Sequence, residues 1–148
     1  MPRDTSDPAP SCSSTTRFLV DGMNVIGSEP NGWWRDRPAA RRRLVETLAG
    51  MVTGTCLVTV VFDGTPTGDE VDAARTLGID ARFSPGGPNA ADDTIAEMVR
   101  ADPEPATLTV VTSDRGLVSR LSGRGVRVMG SKQFGSLRSA GPGPRDAR

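Results

Sequence analysis

Hydrophobic positions along this chain follow two alternating rhythms. Short apolar runs occupy residues 17–21, 56–63 and 107–114, and each stops at an aspartate: Asp21, Asp63 and Asp114. Residues 78–84 alternate instead, with Ile79, Ala81 and Phe83 on one side and Asp80 and Arg82 on the other. Residues 126–129 form a last short strand. Between these runs, apolar residues recur at helical spacing. Leu44, Val45, Leu48, Met51 and Val52 mark one face of a helix that starts near Pro38, and Ala91, Ile95, Met98 and Val99 mark another over 90–101. Shorter helices are expected over 70–77 and just after Asp114, where Leu117, Val118 and Leu121 repeat. A loop carrying Trp33 and Trp34 separates the first strand from its helix, and Ser-Pro-Gly-Gly-Pro at 84–88 breaks the chain.

Strands that alternate with helices predict an α/β fold with a mostly parallel five-stranded sheet. The first, second and fourth strands are nearly continuous apolar runs, as expected where helices cover both faces of the sheet. The third and fifth carry charges and read as edges. The order 3-2-1-4-5 satisfies both conditions. The chain then reverses direction between strands 1 and 4, and open α/β sheets bind ligands outside the carboxyl ends of the strands at such a switch point. Asp21 and Asp114 fall at those two ends. Residues 1–16 and 135–148 read as disordered tails rich in Pro, Ser, Gly or Arg, which leaves 17–134 as one folded domain.

Composition narrows the chemistry. The 148 residues hold 18 basic and 18 acidic side chains, two cysteines and no histidine. Histidine bases and histidine triads are excluded, and a four-ligand zinc site cannot be built from nitrogen and sulfur within one chain. A disulfide framework is equally excluded by Cys12 and Cys56 alone, which suits a reducing, cytoplasmic setting. The N-terminal segment lacks the apolar core of a signal peptide, and no apolar run is long enough to span a bilayer, so no membrane role is expected. All but one of the basic residues are arginine, the exception being Lys132. With zero net charge, any attraction for a polyanion has to be local.

What remains is a set of carboxylates. Asp21, Asp63 and Asp114 end three strands at one edge of the sheet, and Asp92 or Asp93 opens a neighbouring helix. Each has a simple structural reading: Asp21-Gly22 and Asp63-Gly64 as turns, Asp114 as a helix cap, Asn89 to Asp92 as a capping box. Together they are harder to explain that way, because like charges gathered at one place repel and raise one another's pKa unless a cation joins them. At about 100° per residue, Asp92 falls on the flank of the apolar face and Asp93 nearly opposite, toward solvent. That makes Asp92 the better ligand and Asp93 an outer helper. Oxygen donors select Mg²⁺ or Mn²⁺. Such ions acidify water and neutralise charge on a reacting phosphate, chemistry that needs no histidine.

The residues Val20-Asp21-Gly22-Met23-Asn24-Val25-Ile26, Val61-Phe62-Asp63-Gly64, Ala91-Asp92-Asp93-Thr94-Ile95 and Val111-Thr112-Ser113-Asp114 resemble, in order and spacing, the YacP-like NYN domains of the PIN-like nuclease superfamily. The resemblance covers residues 17–134. It implies a PIN-like three-layer α/β/α sandwich and a metal-dependent endoribonuclease that leaves 5′-phosphate and 3′-hydroxyl ends. By match, Asp21, Asp92 and Asp114 would hold the metal and Asp63 would complete the catalytic set. Asn24 would orient Asp21 or bind phosphate, with Thr112 and Ser113 as the hydroxyl pair before the last acidic residue. Longer relatives carry extra C-terminal helices where this chain turns into a Gly/Pro/Arg segment.

RNA has an evident landing area. Residues 33–43 contain Trp33, Trp34, Arg35, Arg37 and Arg41–Arg43, five arginines against one aspartate. Arginines there would contact phosphates and the tryptophans would stack on unpaired bases. In the simpler reading the tryptophans cover the core and the arginines are a solvated helix face. Arg115 and Lys132 are further phosphate-contact candidates. The expected partner is single-stranded RNA, with a ribosome or ribonucleoprotein as a further candidate. Two alternatives compete: a noncatalytic RNA-binding module on the same fold, and a receiver-type phosphotransfer domain with Asp63 as phosphoacceptor and Lys132 after the last strand.

Overall fold

A computed structural model of the chain describes residues 16–28, 32–87 and 89–139, with the side chains of 137–139 excepted. Of the expected tails, 1–16 and 135–148, residues 1–15 and 140–148 lie outside the described residues, while Thr16 opens a strand and 135–139 are helical. Among the described residues there are five strands: β1 (Thr16–Asp21), β2 (Cys56–Asp63), β3 (Asp80–Ser84), β4 (Leu108–Val111) and β5 (Arg127–Met129). Between and after them run α1 (Gly22–Gly27), α2 (Arg37–Ala49), α3 (Gly68–Leu77), α4 (Ala90–Ala101), α5 (Arg115–Leu121) and α6 (Ser131–Ser139). Short 3₁₀ turns cover Trp33–Arg35 and Pro105–Thr107.

The sheet order is β3-β2-β1-β4-β5, and every neighbouring pair is parallel. This is the 3-2-1-4-5 order read from the apolar runs. Successive side chains of a strand point to opposite faces, so the central strands feed two cores. Val20, Val58, Val60, Phe62 and Val111 join Leu44, Val45, Leu48 and Phe134 on one face. Leu19, Val61, Val110 and Leu108 join Ile95, Val99, Leu117 and Leu121 on the other. Helices α1, α2, α3 and α6 therefore sit on one face, and α4 and α5 on the other. Right-handed crossovers require this when the chain changes direction, and it opens the switch point between β1 and β4.

Three local features differ from the sequence reading. The segment after Asp21 is the helix α1, not a loop. Apart from Met23, its Gly, Asn, Val and Ile are poor or middling helix formers, and tertiary packing holds it, with Val25 and Ile26 buried. Gly22 is there for space: a Cβ at this position would stand 2.4 Å from the Phe62 ring. Gly22→Ala is therefore expected to lower stability by about 1–3 kcal/mol, or more if Phe62 cannot move. A denaturant titration checks it, and an unchanged midpoint would show that the ring yields freely. Second, α2 ends at Ala49, and Met51 and Val52 pack on the core from the turn beyond Gly50. Third, the chain stays helical past Phe134, to Ser139. Phe134 is fully buried and tilted against Phe18 with ring centroids 5.7 Å apart, so it anchors a helix where composition alone reads as a tail.

Candidate active site at the carboxyl edge of the sheet

Register brings the expected residues together. Val20 pairs with Val111 across β1 and β4, which sets Asp21 beside Thr112. Asp21 is only 4 % exposed. Its Oδ2 accepts a hydrogen bond from the Thr112 hydroxyl at 2.9 Å, and Thr112 is itself buried. The same hydroxyl oxygen accepts from the Asp114 amide at 3.1 Å, so Thr112 links both aspartates. Burial pushes the Asp21 carboxyl up to about 6 from 3.8. Thr112 and the Asn24 amide oppose that rise, while the charges of Asp92 and Asp63 add to it.

The other carboxylates are anchored on helix starts. Asp63 Oδ1 accepts the Ala91 amide at 2.9 Å and so serves the N-terminus of α4 from across the sheet. Asn89, the residue expected to cap that helix, makes no side-chain cap and sits at φ 99°. Asp114 caps its own helix, accepting the Leu117 amide at 3.1 Å. Asp92 is half-buried, and burial, then the charges of Asp114 and Asp63, raise its pKa. Asp93 points to solvent, as its helical angle predicts, and pairs with Arg120 at 2.9 Å. Arg120 partly offsets the charge around Asp92.

The Asn24 backbone amide donates a hydrogen bond to Asp21, and the Asn24 side chain makes a further set of contacts. Its Oδ1 accepts from the Ser113 amide at 2.8 Å and from the Ser131 hydroxyl at 2.5 Å. The Ser131 amide in turn donates to Ser113 Oγ at 2.8 Å. This ring of bonds ties α1, the β4–α5 junction and the start of α6 together beside Asp21. Ser131 is not singled out from the sequence; its only signal is a position two residues after the last strand.

Two clefts open on sequence neighbours of the acidic residues, although none of Asp21, Asp63, Asp92 and Asp114 lines either. One, of about 520 Å³, is lined by Met23, Asn24, Ser28, Ser113, Lys132 and Gln133, among others. The other, of about 710 Å³, lies between the end of β3 and the start of α4, with Ser84, Gly86, Gly87, Asn89 and Thr94 in its wall. Arg115 and Lys132 are exposed on this side of the fold. Arg41 is not available to a substrate. It is 6 % exposed and bonded to the buried Glu70, because the α2 face that carries it turns toward α3. Trp33 is half-buried and Trp34 exposed; Arg35 and Arg37 are also exposed.

The sequence pattern of the YacP-like NYN domain matches residues 18–138. The chain belongs to that family. No curated protein matches it. Solved structures that share the fold include two of one bacterial protein. The crystal structure of Rae1 (YacP) from Bacillus subtilis is 23% identical, with a TM-score of 0.69 over 84% of this chain and 74% of that one. Its W164L mutant is 24% identical, with a TM-score of 0.66 over 84% and 76%. The matched span of the NYN domain ends at 138, which includes α6 and so agrees with the helix beyond Phe134. The family is of nuclease type, on a PIN-like fold. No helix among the described residues of the NYN domain is long and apolar enough to cross a membrane.

The donors fit a hard divalent cation in kind: carboxylate oxygens only, with Asp21 buried at high cost unless its charge is balanced. Among the described residues, no three His, Cys, Asp or Glu side chains are already gathered around one metal position. Asp63 and Asp114 each spend an oxygen on a helix amide and keep the other.

Proposed function

We propose that this NYN domain is an endoribonuclease that hydrolyses RNA phosphodiester bonds with Mg²⁺ or Mn²⁺ held by Asp21, Asp92 and Asp114. The observation that carries the reading is Asp21, a buried carboxylate at the switch point whose pKa its acidic neighbours raise further. Perturbed carboxylates of this kind are characteristic of reacting centres. A bound divalent ion supplies acidified water and offsets the charge that grows on the phosphate.

The chain's own groups do the rest. Thr112 holds Asp21 in one orientation and fixes the backbone at Asp114. Asp63 keeps α4, and with it Asp92, in place. The Asn24–Ser113–Ser131 ring shapes the neighbouring cleft, where Lys132 meets a phosphate beside the scissile one. Arg115 serves the same end from the start of α5. Asp93, held by Arg120, contributes from outside the ligand set. Two clefts on sequence neighbours of the carboxylates suit a strand that continues in both directions, hence internal cleavage. The substrate is single-stranded RNA, free or carried on a ribosome or other ribonucleoprotein, met in the cytoplasm.

The test is cleavage of an internally placed fluorescent RNA with Mn²⁺, with Mg²⁺ and with EDTA. Cleavage with either metal, none with EDTA, and 5′-phosphate products are expected. Cleavage in EDTA would remove the metal from the reading. Binding without cleavage would favour a noncatalytic RNA-binding module. The receiver-type alternative fails on topology: receivers have the order 2-1-3-4-5, and this sheet is 3-2-1-4-5.

A further inference from the structure

Trp34 is the most exposed large apolar side chain of the described residues, at 56 %. Folding does not account for it. Its neighbour Trp33 packs against the core and meets Trp34 edge to face, with ring centroids 6.1 Å apart at 86°. The turn that presents them is tightly built. Gly32 enters at φ 77°, a conformation that favours glycine. Its carbonyl accepts the Arg35 amide at 3.0 Å, and the Trp33 carbonyl accepts the Asp36 amide at 3.2 Å. Asp36 then caps α2 through the Ala39 amide at 3.1 Å. A rigid mount thus holds an indole face in water.

The surroundings identify what covers it. The Arg35 guanidinium lies 5.8 Å from the Trp34 ring centre, and that of Arg37 lies 5.3 Å from Trp33. An exposed indole with one guanidinium beside it and a second against its supporting ring is the pattern of a stacking platform for single-stranded nucleic acid, in which bases lie on the ring and arginines take the phosphates. The platform is also continuous with the cleft beside Asp21. Gly27 lines that cleft, and a Cβ on it would sit 3.9 Å from the Trp33 ring. We infer that Trp34, flanked by Arg35 and Arg37, stacks a base of single-stranded RNA that lies outside the nucleotides at the cleavage position. Trp33 is the support that joins this station to the cleft. The inference rests on the reading that RNA is the ligand, but it requires no cleavage.

The chain has two tryptophans, so their fluorescence reports the site directly. The full chain carrying Asp21→Asn is titrated in EDTA with a 12-nucleotide unstructured RNA, a 3-nucleotide RNA, a 12-base-pair duplex and anionic vesicles. Quenching by the 12-mer is expected, with at least about five-fold weaker binding of that RNA by Trp34→Ala. Trp34→Phe, which keeps an aromatic face, should recover most of the loss. The 3-mer and the duplex should bind weakly to both. Equal 12-mer binding by Trp34→Ala and its parent would overturn the inference, as would quenching by vesicles but not RNA. If the wild type never cleaves RNA yet this pattern holds, the stacking station stands and the nuclease reading falls.

Discussion

Asp21→Asn is expected to abolish metal-dependent RNA cleavage while making the protein more stable. The first half follows from position. Asp21 is the most enclosed of the four carboxylates, and losing the charge that holds a catalytic ion removes several kcal/mol of transition-state stabilisation. At about 1.4 kcal/mol per decade, that is a fall of roughly a thousand-fold or more. The second half follows from the raised pKa. In the folded chain the Asp21 proton is held up to about pH 6, against 3.8 ordinarily. Between those values the native state binds more protons than the unfolded one, so stability falls as pH rises. Above pH 6 the full cost is present, on the order of 2–3 kcal/mol. Asparagine carries no charge and still offers an oxygen to the Thr112 hydroxyl. In EDTA at neutral pH, the variant should therefore melt several degrees above wild type, and the gap should close toward pH 4. Adding Mn²⁺ should raise the wild-type melting temperature and leave the variant unmoved. A variant that cleaves normally, or that melts below wild type at pH 7, would sink this account of Asp21.

The parts of this site that were legible in the sequence are those set by local pattern. Apolar runs that end in Asp identified three strands and their common edge. The helical angle separated Asp92 from Asp93, and the exposed ion pair of Asp93 with Arg120 agrees with it. What stayed hidden depends on partners far along the chain. Ser131 reaches Asn24 across 107 residues, and Asp63 caps a helix that begins 27 positions later, so neither bond leaves a local trace. The helix α1 was invisible because its residues, apart from Met23, are weak helix formers held by burial, and α6 because its Gly and Ser positions look like a tail until Phe134 finds Phe18. Arg41 was misplaced for a related reason. Helical spacing places Arg41 on the face of Leu44, Val45 and Leu48, which singles it out from Arg42 and Arg43; what the spacing does not give is the buried partner, Glu70, 29 residues away.

That inward pair carries the second large effect expected. Arg41 and Glu70 are both almost fully enclosed, and the guanidinium bonds Glu70 through Nε and through Nη2, the latter at 3.1 Å. Glu70 Oε2 also accepts the Thr67 amide at 2.8 Å, and the Glu70 amide donates to Thr67 Oγ1 at 3.2 Å, closing a capping box. Burial alone would raise the Glu70 pKa, but the bonds from Arg41 and Thr67 outweigh it and hold the carboxyl below its ordinary value. The stability it confers is therefore present above the ordinary glutamate pKa and lost as pH falls through the lowered one. Arg41→Met leaves that carboxylate buried and unpaired, a defect worth about 3–5 kcal/mol, a large share of the roughly 5–15 kcal/mol that holds a small domain. A drop in melting temperature of more than about 10 °C is expected. Arg41→Lys should recover little, since one ammonium cannot replace the two-pronged contact. The double change Arg41→Met with Glu70→Leu removes both charges and should regain most of the loss, although the capping box goes with Glu70. Recovery in the double variant separates an uncompensated charge from lost packing. If it is as unstable as Arg41→Met alone, the pair's role is to fill space and cap α3, and the charge argument fails.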